Sequence, residues 1–313
     1  MFCMRVPCPQ MRRSKNTNKI NTIRHIQYFK SRYMVWNVLV INLHFFEIKY
    51  KTKRYRVMNL KKIHIVAIVG SLNPTSFTER FTQALLQSIC ETQEEITYQI
   101  VSLREWNLAY CRGCIQCFLK GYCVLDQIDG FDRLRNLLES ADCIVFASPV
   151  YACGISGIMK TFIDRLSYSI HLLQYAGRLG FTITTTSSSG AEFVSSYLQR
   201  VQIGLGIKNL CNFSYALTKD KWDDSLHKAT NQWFARLNNT FSFSSNMAEE
   251  TFEYYKSSNL AHSEFCTKHP NVPGLPLSEI EFWTKGWAAK CKSFQEFAVK
   301  NKALNSQKNG ETK

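Results

Sequence analysis

Short apolar runs that alternate with amphipathic stretches constrain the fold more than any other feature of this sequence. The run KKIHIVAIVG at 61–70 is nearly continuous in apolar residues and ends at Gly70, which is typical of a strand buried on both faces of a parallel sheet. Four similar runs begin near residues 97, 142, 177 and 208. Strands and helices that alternate in this way predict an α/β fold, a doubly wound five-stranded parallel sheet.

Helical spacing of apolar residues separates the strands. In the first predicted helix, Phe81, Leu85 and Ile89 share one face. In a second predicted helix, the apolar residues at helical spacing are Ile128, Phe131, Leu134 and Leu138. Ser76 and Glu79 have the spacing of a capping box, which predicts that the first helix begins at residue 77.

The strand signals stop after residue 220. Residues 222–240 and 278–302 have helical patterns, with a polar stretch and the proline-punctuated segment HPNVPGLPL between them. We therefore predict a domain at 58–220 and a helical C-terminal extension at 221–313.

The first 57 residues differ from the rest in charge. They hold thirteen Lys and Arg against one acid, Glu47, so +12 of the net charge of +15 lies there. We expect 1–57 to be a disordered extension or a spurious start upstream of Met58, with an organelle-targeting leader as the alternative. Because the remaining residues carry only +3, we expect no nucleic acid partner. The apolar run at 33–46 is too short and interrupted for a membrane span, so we expect no membrane association.

Cys111, Cys114, Cys117 and Cys123 lie within thirteen positions. The chain has twelve cysteines and no convincing secretory signal. We therefore expect the protein to be in the reducing cytoplasm and its cysteines not to form a disulfide framework. The spacing Cys-x2-Cys-x2-Cys-x5-Cys lets four thiolates converge on a [4Fe–4S] cluster. Unligated thiols, a zinc site and a thiol redox pair stay open as alternatives.

Three loops should meet at one edge of the sheet, because ligands of doubly wound folds bind beyond the carboxyl ends of the strands. The first, GSLNPTSFTER at 70–80, precedes a helix N-terminus and suits a phosphate monoester, and it lacks the Gly-x-Gly-x-x-Gly pattern of dinucleotide sites. The second, SPVYACGISG at 148–157, offers an aromatic face at Tyr151. The third, TTTSSSGAE at 184–192, offers small hydroxyl residues for the rim of a heteroaromatic ring.

These loops, the four-cysteine spacing and the run ADCIVFASPVYACGISGIMKTFIDR resemble the NAD(P)H-dependent FMN reductases of the flavodoxin-like superfamily, and by motif the iron-sulfur flavoproteins within it. The resemblance implies that the first loop holds the FMN phosphate and that the other two hold the isoalloxazine. The residues that match these roles are Ser71, Asn73, Ser76, Thr78, Pro149, Val150, Tyr151, Ser189 and Gly190. The chain departs from the pattern at Leu72-Asn73-Pro74, where relatives often have a basic residue.

The resemblance implies an FMN oxidoreductase that takes electrons from NAD(P)H and passes them to a small-molecule or protein acceptor, with or without a cluster. No catalytic residue is predicted, because hydride transfer to the flavin is the cofactor's own chemistry. The alternative function is an FMN electron carrier without its own nicotinamide turnover. A third candidate is a binding protein with a basic tail. We expect a homo-oligomer, and we interpret Lys160, Asp164 and Arg165 as a structural ion pair or a subunit contact.

Overall fold

The computed structural model describes residues 62–240, 242–270 and 272–310, so the predicted extension at 1–57 lies outside the described residues. Five parallel strands form one sheet in the order β2-β1-β3-β4-β5. The strands are β1 (Ile63–Val69), β2 (Ile96–Ser102), β3 (Cys143–Pro149), β4 (Leu179–Thr186) and β5 (Lys208–Ala216). This order confirms the predicted flavodoxin-like, doubly wound sheet.

The central strands are buried on both faces, as their continuous apolar runs predict. In β1, Ile65 and Ala67 point into one core cluster, while Val66 and Ile68 point into a second cluster on the opposite face. Every residue of β3 and β4 is buried. A sheet with no solvated face must be covered by helices on both sides.

Helices cover both faces of this sheet. The helices are α1 (Phe77–Thr92), α2 (Gln116–Lys120), α3 (Asp126–Asp129), α4 (Phe131–Ser140), α5 (Gly157–Arg165), α6 (Ser167–His171), α7 (Ala191–Gly204), α8 (Trp222–Asn238), α9 (Asn246–Lys268), α10 (Leu277–Thr284) and α11 (Phe294–Gly310). Helices α1 and α8 pack on one face, and α4, α5 and α7 pack on the other. The predicted apolar face of Phe81, Leu85 and Ile89 is buried in α1.

Two helical predictions are wrong in detail. Gly130 has a φ of 66° and separates α3 from α4, so Ile128 does not continue the apolar face of α4 and is 70% exposed. The stretch between the two predicted C-terminal helices, interpreted as polar linker, contains the 23-residue helix α9. That helix buries few side chains, which explains why its sequence lacks a clear apolar stripe.

The C-terminal region is helical, as predicted, and has its own aromatic core. Phe252, Trp283, Phe294 and Phe297 are buried together in a third cluster that also contains Leu173 from the segment after α6. The indole Nε1 of Trp283 donates to the carbonyl oxygen of His171 at 2.9 Å. The domain boundary at residue 220 stays a prediction. Among the described helices, none has the length and hydropathy needed to cross a membrane.

Candidate functional site

The loops that follow β1, β3 and β4 are joined by direct contacts. The hydroxyls of Thr78 and Thr185 lie 2.7 Å apart, which connects the first loop to the end of β4. Ser156, at the end of the second loop, donates its hydroxyl to the carbonyl oxygen of Gly70. Gly190 of the third loop packs against Val150 of the second. The three loops therefore line one crevice at the carboxyl edge of the sheet, where the strand order reverses between β1 and β3.

The first loop presents hydroxyls and free backbone N–H groups at the start of α1. Ser76 caps this helix, with its hydroxyl oxygen accepting from the N–H of Glu79 at 3.3 Å. The capping box is only half formed, because the Glu79 carboxylate pairs with Arg104 instead. Ser71 is buried, and its hydroxyl oxygen accepts from the N–H of Asn73 at 3.4 Å.

These groups fit a phosphate. Within the part of the chain that the structure describes, the N–H groups of Phe77 and Thr78 have no hydrogen-bond partner. Unpaired N–H groups at the start of a 16-residue helix, together with the helix dipole, favour an anion. The Thr78 hydroxyl itself is buried against Thr185, so Thr78 offers its backbone N–H rather than its side chain. Asn73 is exposed, and its side-chain oxygen accepts from Thr75 at 2.9 Å.

The second loop makes a tight turn that carries an exposed aromatic ring. Tyr151 and Gly154 exchange both N–H···O bonds at 2.9 Å, and the two residues between them, Ala152 and Cys153, have φ values of 49° and 60°. Left-handed backbone at two residues other than glycine costs on the order of 1–3 kcal/mol each. Pro149 is buried at the end of β3, whereas the Tyr151 side chain is 53% exposed. The strained turn therefore fixes a ring at the mouth of the crevice.

The third loop approaches the second most closely at a glycine. Ser189 is exposed, and its carbonyl oxygen accepts from the Thr186 hydroxyl at 2.6 Å. Gly190 has a φ of 81°, and a Cβ placed there would lie 3.1 Å from Cγ1 of Val150. A side chain at position 190 would therefore push two walls of the crevice apart.

We expect Gly190→Ala to weaken FMN binding about tenfold, because the added Cβ would displace the Val150 side chain in the crevice wall. A tenfold weaker affinity corresponds to about 1.4 kcal/mol. Gly274→Ala is a matched control, since Gly274 also has a φ of 81° but has nothing within 4 Å of an added Cβ. Both variants should lose about 1–2 kcal/mol of stability from left-handed strain. Fluorescence titration with FMN measures the difference, and equal FMN affinities in the two variants would contradict it.

Two residues of the crevice were missed by sequence reasoning. Ser156 caps α5, its hydroxyl oxygen accepting from the N–H of Met159 at 3.3 Å, and it also connects the second loop to the first. A serine before an apolar helical run is a cap signal, so Ser156 could have been found. Thr185 could not, because its partner Thr78 is 107 residues away in the sequence.

The four-cysteine loop runs from the end of β2 to α3. Cys111 and Cys114 are exposed, Cys117 and Cys123 are partly buried, and all four are free thiols. Burial and the nearby charges of Cys123 and Cys111 raise the pKa of Cys117, so these three side chains lie close enough to interact. In residues 62–310 as described, no group of three or more His, Cys, Asp or Glu side chains is arranged to hold a metal ion.

Helix α2, which carries Cys117, is held between the domain and the C-terminal extension. The Phe118 ring makes edge contacts with Tyr168 and His171, at centroid distances of 5.3 and 4.8 Å. The Tyr168 hydroxyl lies 2.7 Å from the Ser278 hydroxyl of α10. His171 packs against Phe118, and its Nδ1 lies 3.2 Å from the Glu279 carboxylate, so it serves as a structural residue. Helix α10 contacts the helix that carries Cys117.

Lys160, Asp164 and Arg165, interpreted from the sequence as a structural ion pair or a subunit contact, all form ion pairs within the chain, although Arg165 pairs with neither of the other two. Lys160 pairs with Asp164 on the exposed side of α5, while the buried Arg165 pairs with Asp126 and Asp129. Burial raises the pKa of Asp129, but hydrogen bonds and charge from Arg165, with two backbone N–H donors, outweigh it and hold the pKa below its usual value. Asp129 also accepts from the N–H of Ala109 at 2.9 Å.

The lowered pKa of Asp129 predicts how the stability depends on pH. Its stabilising effect is complete above the unfolded-state pKa and is lost as the pH falls through the lower folded-state value. We expect Asp129→Asn to cost about 1.5–3 kcal/mol at pH 7. This difference in stability from the natural chain should shrink as the pH falls below 3.8, the ordinary pKa of an aspartate. Urea unfolding at neutral and acidic pH measures this, with the exposed Asp132→Asn as control. A pH-independent difference would contradict the assignment.

Comparison with known proteins shows the family of the chain. The model of the NADPH-dependent FMN reductase family matches residues 63–220. An iron-sulfur flavoprotein of Archaeoglobus fulgidus is 30% identical over 226 residues, which cover 70% of this chain and 96% of that protein. This match is longer than the family-model region, so it extends beyond 63–220.

Two further similarities cover less. An iron-sulfur flavoprotein of Methanocaldococcus jannaschii is 34% identical over 101 residues, which are 32% of this chain and 50% of that protein. The solved NAD(P)H:quinone oxidoreductase from Methanothermobacter marburgensis has a TM-score of 0.45 at 16% identity, covering 57% of this chain and 97% of that one.

The family model covers half of the chain, and the Archaeoglobus fulgidus protein aligns over nearly its whole length. The chain therefore belongs to the NADPH-dependent FMN reductase family and is an FMN-dependent NAD(P)H oxidoreductase.

Proposed function

We propose that the crevice formed by the three loops is the FMN site. The convergence of the loops after β1, β3 and β4 is the observation that carries this proposal. In the proposed site, the FMN phosphate binds at the start of α1 and the isoalloxazine lies between the second and third loops. The phosphate residues would be Ser71, Asn73, Ser76 and the N–H of Thr78, and the ring residues Pro149, Val150, Tyr151, Ser189 and Gly190.

The residues of the crevice bind and orient rather than transfer protons. Bound FMN supplies the hydride chemistry, for which a nicotinamide must be held over the ring. The first loop contains one cation, Arg80, whose guanidinium stacks on Phe77 at 4.1 Å from the ring centroid. The phosphate charge would therefore be met by N–H groups, hydroxyls and the helix dipole.

We further propose that Cys111, Cys114, Cys117 and Cys123 hold a [4Fe–4S] cluster. Four thiols are the donor set that such clusters use, and several relatives are named iron-sulfur flavoproteins. The loop leaves the carboxyl end of β2, at the same edge of the sheet as the crevice. A cluster there would supply one-electron transfer to a small-molecule or protein acceptor. A reducing cytoplasm and a homo-oligomer are part of this proposal.

Reduction of the FMN-loaded protein under anaerobic conditions separates the enzyme from the electron carrier. NADH or NADPH should bleach the flavin absorbance within the turnover time, and the faster nucleotide identifies the preferred donor. Chemical reduction by dithionite is the control that the flavin can be reduced. If dithionite bleaches the flavin and neither nucleotide does, the carrier function is correct.

A further inference from the structure

Arg165 joins the two ends of the four-cysteine loop. Its side chain is fully buried at the end of α5, where Nη1 donates to the carbonyl oxygen of Ala109 at 3.1 Å, just before Cys111. Nη2 donates to Asp126 at 2.8 Å, just after Cys123. Asp129 closes the ring of contacts, because it accepts from both Arg165 and the N–H of Ala109.

Both terminal nitrogens of this guanidinium are used at the ends of the loop. Nη1 pairs with Ala109 and Asp129, and Nη2 pairs with Asp126 and Asp129. The Nε atom is buried and has no hydrogen-bond partner among the described residues. The contacts of Arg165 that hold the loop are therefore those of its two terminal nitrogens.

A second cation lies at the same end of the loop. Arg135 pairs with Asp126, so this carboxylate accepts from two guanidiniums. The two guanidiniums balance the two carboxylates of Asp126 and Asp129, so the group of ion pairs that holds the loop carries no net charge.

We propose that Arg165 is a positioning residue for the four-cysteine loop: it ties Ala109, before Cys111, to the Asp126–Asp129 helix, after Cys123. Its effect on a bound cluster rests on the proposed function, whereas its effect on the loop does not. Groups that orient metal ligands without touching the metal typically alter metal retention by about 10- to 100-fold.

Two variants separate geometry from charge. Arg165→Lys keeps the positive charge but cannot reach the carbonyl and both carboxylates together, and Arg165→Gln also removes the charge. Arg178→Lys is the matched control, because Arg178 is also buried but donates to the carbonyl oxygen of Glu139 at the opposite edge of the sheet. FMN content in each variant reports whether the domain has folded.

Hydrogen exchange in the iron-free, FMN-loaded protein tests the positioning role directly. Both Arg165 variants should exchange the amides of residues 107–125 at least about tenfold faster than the natural chain, while Arg178→Lys should leave that segment unchanged. Natural exchange rates over 107–125 in flavin-loaded Arg165→Lys would overturn the proposal.

The iron-reconstituted protein tests the consequence for the cluster. We expect iron release to a chelator to be about 10- to 100-fold faster in both Arg165 variants. The midpoint potential should become more negative in Arg165→Gln and stay close to natural in Arg165→Lys, because the lost charge favoured the reduced cluster. Unchanged iron release in both Arg165 variants would overturn the effect of Arg165 on the cluster. A natural chain that binds no iron would contradict the cluster alone, and hydrogen exchange would still decide the role of Arg165.

Discussion

The double variant Ser71→Ala, Ser76→Ala should lose FMN during purification. Both serines are buried at the first loop, and each hydroxyl oxygen already accepts a backbone N–H, which leaves its proton to donate to a phosphate oxygen. A hydrogen bond to a charged group contributes about 1.5–3 kcal/mol. Losing two should weaken FMN binding by about 10²- to 10⁴-fold.

Loss of a helix cap alone must be separated from loss of a phosphate contact. Ser76→Ala removes the cap of α1, which costs about 1 kcal/mol of stability. Ser245→Ala is the matched control, because Ser245 caps α9 through the N–H of Ala248 and lies outside the crevice. The control should lose stability and keep its flavin. Stoichiometric flavin in the double variant would show that the phosphate does not bind at this loop.

Cys117→Ala should abolish iron binding while FMN stays in place. Protein reconstituted without oxygen is expected to contain about four iron and four sulfide per chain, and Cys117 supplies one of the four thiolates proposed to hold the cluster. The crevice should be unaffected, because none of its three loops includes Cys117. Iron, sulfide and flavin assays on one preparation measure all three quantities.

Cys266→Ala is the matched control for this change. Cys266 is partly buried, as Cys117 is, but it lies in α9, outside the four-cysteine loop. It should keep iron, sulfide and flavin at natural levels. If the natural chain stays free of iron after reconstitution and Cys117→Ala keeps its nicotinamide-dependent activity, the loop cysteines are unligated thiols and the protein is a plain FMN reductase.

Sequence patterns predicted the sheet because each of its strands is a local signal. The apolar composition of a run such as 61–70 by itself predicts that the strand is buried. The parallel topology then places the three loops at one edge of the sheet. The helix caps at Ser76 and Ser156 are equally local. The long helix α9 was missed because it buries so few residues that no apolar period appears.

Contacts between distant residues could not be predicted in this way. The hydroxyl pair of Thr78 and Thr185 spans 107 positions, and the contact of Tyr168 with Ser278 spans 110. The sequence indicated that Arg165 is structural but not that it ties Ala109 to Asp129. The left-handed turn at Ala152 and Cys153 was also hidden, because neither residue favours that backbone.

The most direct test of the whole account is an anaerobic absorbance time course of the iron-reconstituted protein after mixing with its preferred nicotinamide. The account predicts that the flavin bands fall at the turnover rate and that the cluster absorbance then falls with them. Bleaching should persist in Cys117→Ala without the second change. A flavin that stays oxidised with both NADH and NADPH, or a cluster that stays oxidised while the flavin is reduced, would contradict electron transfer from nicotinamide through this crevice to the four-cysteine loop.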